Sequence, residues 1–481
     1  MTGTRPWHAS RAWQTNAALL LVGAGMLALA RQLVSEYDHF TIGNSGVSGY
    51  SVVLFVAACL IILTSETDRF TFPIIIGVAV LCRLAVLYDD PVMSSDVYRY
   101  AWDGVVQHAH INPYRYVPGD KALAFLREPN QGLFDNINRR DYAHTIYPPA
   151  AQFLFYLITY ISPTMTFMKT AMMLFEGVTM WALVSLLREM GVRREQALLY
   201  AWCPMLIWEV AASGHLDSAA MAYIALALLF RYRRRPLLTG LFLGLAVMTK
   251  LYPLVLLPAL MMRTSRPDPT SQSRDVGHPD WWSILRGWDW RMPAVVCALI
   301  AAGYAAYSSV GMMVFGFLGG YAEEEGLQSG ARYFLLQLAQ TVPGLHSLPT
   351  AVFYGLCVVV FGALTFWALR VAMEPGGGGF LRPAFALAFA LMLLFSPHYA
   401  WYIIWLVPFF TLVPNLTVLT YLLGFFYWYT TELAEPGPKM FLANKYLYAM
   451  VAGAAIIEIA LRRWPFYRAY MIQPATAKDT L

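Results

Sequence analysis

Residues 16–34 read NAALLLVGAGMLALARQLV, an apolar run with one arginine near its end. At 1.5 Å per residue it reaches across a hydrocarbon core of about 30 Å. It is too long for the core of a signal peptide and lacks a small-residue cleavage pattern, so it predicts a permanent membrane helix and no cleaved targeting segment. The rest of the chain repeats the pattern. Runs near 51–65, 71–88, 165–187, 197–210, 217–231, 236–249, 251–262, 292–310, 349–373, 383–397, 400–413, 415–431 and 445–461 bring the expected total to about 13–14 helices, several of them short. Where two short runs meet around Lys250–Pro253, proline predicts a tilted or partly re-entrant segment.

Composition agrees. Hydrophobic residues make up 58% of the 481, charged residues only 13%, and the mean hydropathy is +0.50. A soluble domain of ordinary make-up does not look like this. The predicted class is therefore all-α, a polytopic membrane protein with one transmembrane domain over 1–481. The net charge of +5 is not gathered into a basic patch with exposed aromatics, which argues against nucleic acid as a partner. The five cysteines (Cys59, Cys82, Cys203, Cys297 and Cys357) sit far apart in apolar runs and read as packing residues, not as disulfides or a metal cluster.

Arginines set the expected orientation, because positive loops stay cytoplasmic. Arg5 and Arg11, Arg69, Arg188 to Arg194, Arg231 to Arg235, Arg263 to Arg291, Arg370 and Arg382, and Arg462 to Arg468 all fall on one side. Both termini are then cytoplasmic in the inner (plasma) membrane of a bacterium. The 263–291 stretch becomes a cytoplasmic loop, with a Pro/Ser/Asp-rich linker over Arg266–Asp280, and Gly376–Gly379 a cytoplasmic turn. Trp281, Trp282, Trp288 and Trp290 read as an interfacial belt. The large 89–150 loop lies outside, as do Gly214-His215-Leu216-Asp217, Glu323-Glu324-Glu325, Ser396-Pro397-His398-Tyr399 and the Glu432–Lys445 loop.

The outer loop carries the chemistry-bearing residues. It opens Met93-Ser94-Ser95-Asp96-Val97-Tyr98-Arg99-Tyr100-Ala101-Trp102-Asp103-Gly104. As a helix over 95–108, it puts Asp96, Arg99, Tyr100, Asp103 and Gln107 on one face and Tyr98 and Trp102 on another. Such a helix is expected in the interface plane, acidic side to a cavity and aromatic side to lipid. Pro148-Pro149 predict a second surface helix over Ala150–Ile161. Asp96 is a candidate catalytic base; as a first-turn carboxylate it also suits the helix dipole or a cap with Ser94 and Ser95. Asp103 is a second catalytic candidate, and Arg99 reads either as a phosphate contact or as the ion-pair partner of Asp103 or Asp96. Asp89 and Asp90 read as caps of the preceding helix.

Ionisable residues inside apolar runs are expensive and often functional. Arg83 and Glu209 are expected to reach the outer headgroups, Glu176 to be paired within the bundle, and Lys250 to sit at an outer junction as a phosphate ligand, with Arg332 a further one. Tyr100, His215, Asp217, His398 and Tyr402 are expected to line a sugar or acceptor pocket. The histidines lack a second ligand at helical spacing, so no metal ligand and no certain cofactor is assigned; a loosely bound divalent cation stays open.

Asp96–Gly104 with Ile111–Tyr116, Thr145-Ile146-Tyr147-Pro148-Pro149, Gly214–Asp217, Gly240–Tyr252 and Ser396–Pro408 together resemble bacterial mannosyltransferases of the glycosyltransferase C superfamily. Among these are polyprenyl-phosphomannose-dependent and glycosylphosphatidylinositol-type enzymes. The likeness runs from about residue 70 to 450. It implies a multi-spanning helical fold with two interfacial helices in the first large outer loop, a polyprenyl-phosphate sugar donor, and a base at the position of Asp96. Many relatives carry two adjacent acidic residues there; here Val97 follows, which leaves Asp103 open.

The reaction then expected is inverting transfer of a hexose, mannose first, to a lipid-linked or glycan acceptor among membrane lipids. A phosphate leaving group is already a stable anion, so one base suffices and fixed cations replace the acid. The alternatives are a transporter or flippase of a lipid-linked sugar, which would favour internal repeats that the chain does not show, and a non-catalytic subunit docking through the outer loop.

Overall fold

The computed structural model describes residues 11–35, 46–91, 94–263, 287–372, 378–428 and 438–462. Arg5, Met93, the Arg266–Asp280 linker, Trp281, Trp282, Gly376, Gly377, Glu432 and the residues after it to 437, Arg463 and Arg468 lie outside the described residues. Within them the chain is helical throughout, with no strand and a single isolated bridge between Arg263 and Trp288.

Three helices open the fold: α1 (Ala12–Ser35), α2 (Val47–Thr64) and α3 (Thr71–Leu87). Polar contacts at both ends fix α1 parallel to α3. Asn16 donates to Asp68 at 3.0 Å where α3 begins, and Arg31 reaches Asp89 at 2.6 Å just past its end. After α4 (Asp96–His108) and α5 (Pro149–Ile161) comes α6 (Met165–Glu189), followed by α7 (Asp217–Tyr232), α8 (Pro236–Thr249) and α9 (Arg291–Ala306), each packed on the one before. Helix α7 is buried on almost every side. Its Ser-Ala-Ala-Met-Ala start lets neighbouring backbones approach closely, which is how helices associate where lipid is as apolar as leucine. Then follow α10 (Leu318–Glu324), α11 (Thr350–Ala372), α12 (Leu381–Phe395), α13 (Leu416–Trp428) and α14 (Pro438–Leu461), with α11 against α12 and α13 against α14.

Among the described residues five helices are long and apolar enough to cross a membrane: α1, α2, α6, α11 and α14. The remaining apolar runs are shorter or broken, and proline accounts for much of this by removing a donor and clashing with the preceding turn. The expected span 197–210 is a short helix at Leu198–Ala201, a break at Pro204 and a π-turn over Ile207–Ala212. The run 251–262 divides at Pro253 and Pro258 into a 3-10 turn and one short turn of α-helix. The run 400–413 is helical only over Ala400–Tyr402 and Leu406–Leu412. Helix α9 stops at Ala306 and turns through 114° into Ser308–Glu324.

Buried charge behaves differently from expectation at two places. Arg83 does not extend to headgroups; it makes a two-pronged ion pair with Glu176, at 2.8 and 3.0 Å, and donates to the Ala201 carbonyl. Glu209 is also buried, in the π-turn, 3.3 Å from His215. For Arg83, hydrogen-bonded pairing inside the bundle removes the need to reach water.

The fold has two distinct ends. At one, Arg193 holds the carbonyls of Ile62 and Ser65, Arg194 lies over Phe72 and Arg233 pairs with Glu189. At the other, beyond Asp89, α4 and α5 cross each other. Gly104 makes the crossing possible: a β-carbon there would fall 2.2 Å from the Thr159 hydroxyl oxygen and 2.6 Å from the Phe155 carbonyl. Tyr100 stacks on Phe155 with centroids 4.7 Å apart. The aromatic side of α4 does not meet lipid as expected. Trp102 is 1% exposed, in a small core with Val106, Leu123 and Ile137, because the loop's own short helices fold over it. The exposed apolar surface belongs to α5, through Phe153, Tyr160 and Ile161.

Candidate active site

A cavity of about 1110 Å³ opens between the start of α4, the loop from Pro129 to Tyr147, Lys250, the Phe317–Tyr321 segment and the turn Tyr399–Tyr402. Asp96 stands on its edge as the first residue of α4, where the helix dipole favours negative charge. Ser94 accepts from its backbone N–H at 3.2 Å, and the Asn138 amide donates to its Oδ1 at 3.0 Å. Its other oxygen carries no protein hydrogen bond among the described residues.

One turn along, Arg99 makes an ion pair with Asp103. Its Nε donates to Asp103 at 2.8 Å and its Nη1 to the Ala143 carbonyl at 3.1 Å. Its Nη2 is buried with no partner among the described residues, and the side chain lines the cavity. A buried guanidinium nitrogen left unsatisfied is costly unless an anion or water completes it. Asp103 is turned away from the cavity and accepts a second hydrogen bond from Gln152 at 2.9 Å. Its role in this geometry is to hold Arg99 rigid.

Lys250 caps the end of α8 and supplies the second cation. It pairs with the buried Asp217 at 3.1 Å, while Tyr252 donates to the same carboxylate at 3.3 Å. The ammonium sits 5.8 Å from the Tyr147 ring centroid and 5.6 Å from that of Tyr402, within cation–π range. Tyr402 shares a short hydroxyl contact with Tyr321 across the cavity lining. Burial, and then the nearby Asp96 carboxylate, push the phenols of Tyr100 and Tyr147 above their usual range, so both stay protonated donors.

Of the residues expected to line a pocket, Asp96, Arg99, Lys250 and Tyr402 do so; Tyr100, Asp103, His215, Asp217, His398 and Arg332 stand behind the lining. His215 stacks on Trp401 at 4.3 Å, and Trp401 reaches the cavity. Burial lowers the imidazole pKa to about 3, so it is neutral. Arg332 is spoken for: it pairs with Glu325 at 2.6 Å, and His398 lies 3.4 Å from the same oxygen. Sequence reasoning missed Asn138, Tyr321 and Lys169. Lys169 is fully buried and donates to the carbonyls of Val86 and Asp89, tying α6 to the end of α3. It falls in an apolar run and was as visible there as Lys250; Asn138 and Tyr321 carried no signal. Among the described residues no three His, Cys, Asp or Glu side chains converge to hold a metal ion.

The model of the alpha-(1->6)-mannopyranosyltransferase N-terminal domain family matches residues 5–266, and that of glycosyltransferase family 87 matches residues 145–397. No individual curated protein matches the chain significantly. The first match ends beyond Lys250 and contains Asp96 and Arg99; the second takes in Lys250 and ends just before the turn that carries Tyr402.

Proposed function

The chain belongs to the alpha-(1->6)-mannopyranosyltransferase N-terminal domain family and to glycosyltransferase family 87, and from this membership we propose how it works as an integral-membrane glycosyltransferase of the mannosyltransferase kind. It moves mannose from a polyprenyl-phosphate donor to a hydroxyl of a lipid-linked or glycan acceptor on the extracytoplasmic side. The linkage formed is α-(1→6), the one the first family is named for.

The acceptor oxygen attacks the anomeric carbon as the bond to the donor phosphate oxygen breaks on the opposite face. Asp96 takes the hydroxyl proton, and polyprenyl phosphate leaves with the electron pair. A β-linked donor thereby gives an α product. Arg99 Nη2 and Lys250 meet the phosphate as its charge grows, and stabilisation by fixed cations placed in advance is the most effective kind in a site screened from water. Tyr147 and Tyr402 flank Lys250 and supply ring faces and neutral hydroxyls to the sugar. Asp103 and Asp217 hold the two cations in place and stay out of the proton transfer.

The observation that carries this reading is the unsatisfied Arg99 Nη2, held by Asp103 on the same cavity edge as Asp96. A base and an anion site one helical turn apart are what this displacement needs. The test is release of free polyprenyl phosphate by purified protein given polyprenyl-phosphate mannose and a lipid extract. Release should require the extract and fall by about 10²–10⁴-fold in Asp96→Asn, the usual worth of a general base. Undiminished release in that variant removes Asp96 from the reaction.

A further inference from the structure

One wall of the cavity is used by none of the steps above. Between Pro129 and Asn138 the lining residues are Asn130, Gln131, Leu133, Asn136 and Asn138, with Pro129 and Gly132, and none carries a charge. Asp135, the charged residue of this stretch, lies 3.5 Å from Arg140 and does not line the cavity. The amide groups are oriented by the protein. Asn130 donates its NH2 to the Leu126 carbonyl and Asn136 to the Gly132 carbonyl, both at 2.9 Å. Asn138 donates to Ser95 at 3.2 Å and to Asp96 at 3.0 Å. With their nitrogens so engaged, the three amides keep their carbonyl oxygens as acceptors. The wall is also anchored: Phe134 packs on Trp102 of α4 and Leu123 and Ile137 bury beside it, so the segment that carries the amides is packed against the helix that carries Asp96.

From this arrangement we propose that residues 129–138 form the acceptor subsite and that it takes a neutral sugar chain. Sugar hydroxyls are both donors and acceptors, and a row of fixed amide carbonyls receives their protons. Leu133 and Pro129 give the C–H face of a pyranose an apolar surface. Within residues 129–138 an anionic headgroup meets no cation; Arg139, the next lining residue, has its charge paired through Nε with Glu324 at 2.8 Å. Asn138 has a second part as a positioning residue. By binding Oδ1 of Asp96 it leaves the other carboxylate oxygen for the attacking hydroxyl, so the last bound sugar of the acceptor is registered against the base. This inference rests on the donor reading given above, and deepens it.

The experiment uses the full chain in detergent with polyprenyl-phosphate mannose and either of two probes, an octyl α-mannobioside or the same glycoside bearing a phosphate monoester. Wild-type protein should prefer the neutral probe. In the double variant Gln131→Ala with Asn136→Ala, the KM for the neutral probe should rise about tenfold or more, the scale of one or two lost neutral hydrogen bonds, with the donor KM held. In Asn138→Ala, kcat should fall with both KM values and the melting temperature held, the unchanged melting temperature separating a positioning role from a loss of folded protein. Preference for the phosphorylated probe, or an unchanged acceptor KM in the double variant, overturns the proposal. Wild-type protein that consumes no donor with any acceptor fails the underlying reading instead, and the two failures are told apart by that control.

Discussion

At residue scale one side chain does three things at once. Arg99 gives Nε to Asp103, Nη1 to a backbone carbonyl and keeps Nη2 without a partner among the described residues. A lysine has one point of charge and cannot do all three, so Arg99→Lys is not conservative here. We expect kcat/KM for the donor to fall by about tenfold or more, since charge-assisted hydrogen bonds are the strong ones. Steady-state kinetics with varied donor would check this; a variant with unaltered kcat/KM would show that the phosphate does not use Arg99. His215 gives a different prediction. Its pKa is lowered to about 3 by burial, while an unfolded histidine titrates near its usual 6.5. Between those values the unfolded chain binds the extra proton, so the stability that this neutral histidine supports is present above about pH 6.5 and lost as pH falls toward 3. Replacing it, as in His215→Asn, should flatten the acid limb of thermal stability in detergent. An acid limb as steep as that of wild type would place the effect elsewhere.

At element scale the crossing of α4 and α5 sets where Asp96 and Arg99 point. Gly104 sits at the contact, and no side chain fits between it and Thr159. The change Gly104→Ala should push the helices apart, cost about 1–3 kcal/mol as overpacking does, and lower turnover although residue 104 touches no substrate. Melting temperature and turnover measured together would test this; a normal melting temperature and turnover would mean that the two helices adapt. The glycine stood in the quoted sequence, but nothing there said which helix it faced. A pattern of period 3.6 assigns faces and leaves their partners unnamed. For the same reason the aromatic side of α4 was expected to meet lipid, whereas Trp102 has Phe134 and Ile137 of its own loop over it.

At the scale of the molecule, arginine-rich turns gather at one end and the cavity lies at the other. With positive loops kept cytoplasmic, we propose that the cavity faces outward. A membrane-impermeant thiol reagent should label Gln131→Cys in intact cells, and should label Gly191→Cys only after permeabilisation. The reverse pattern would invert the topology and the side of the reaction with it.

The helical membrane class and the place of Asp96 at the head of a helix were legible in the sequence. Each follows from local chemistry: apolar length against bilayer thickness, a carboxylate against a helix dipole. Only the tertiary structure decided which charges are used up and which are free. Arg332 and Arg99 look alike in sequence, yet the first is closed by Glu325 and the second keeps an open nitrogen. Asn138 meets Asp96 across 42 residues, and Lys250 meets Asp217 across a helix pair. Such pairings depend on how helices cross, and crossing is set by side-chain shape in three dimensions, which no one-dimensional period records.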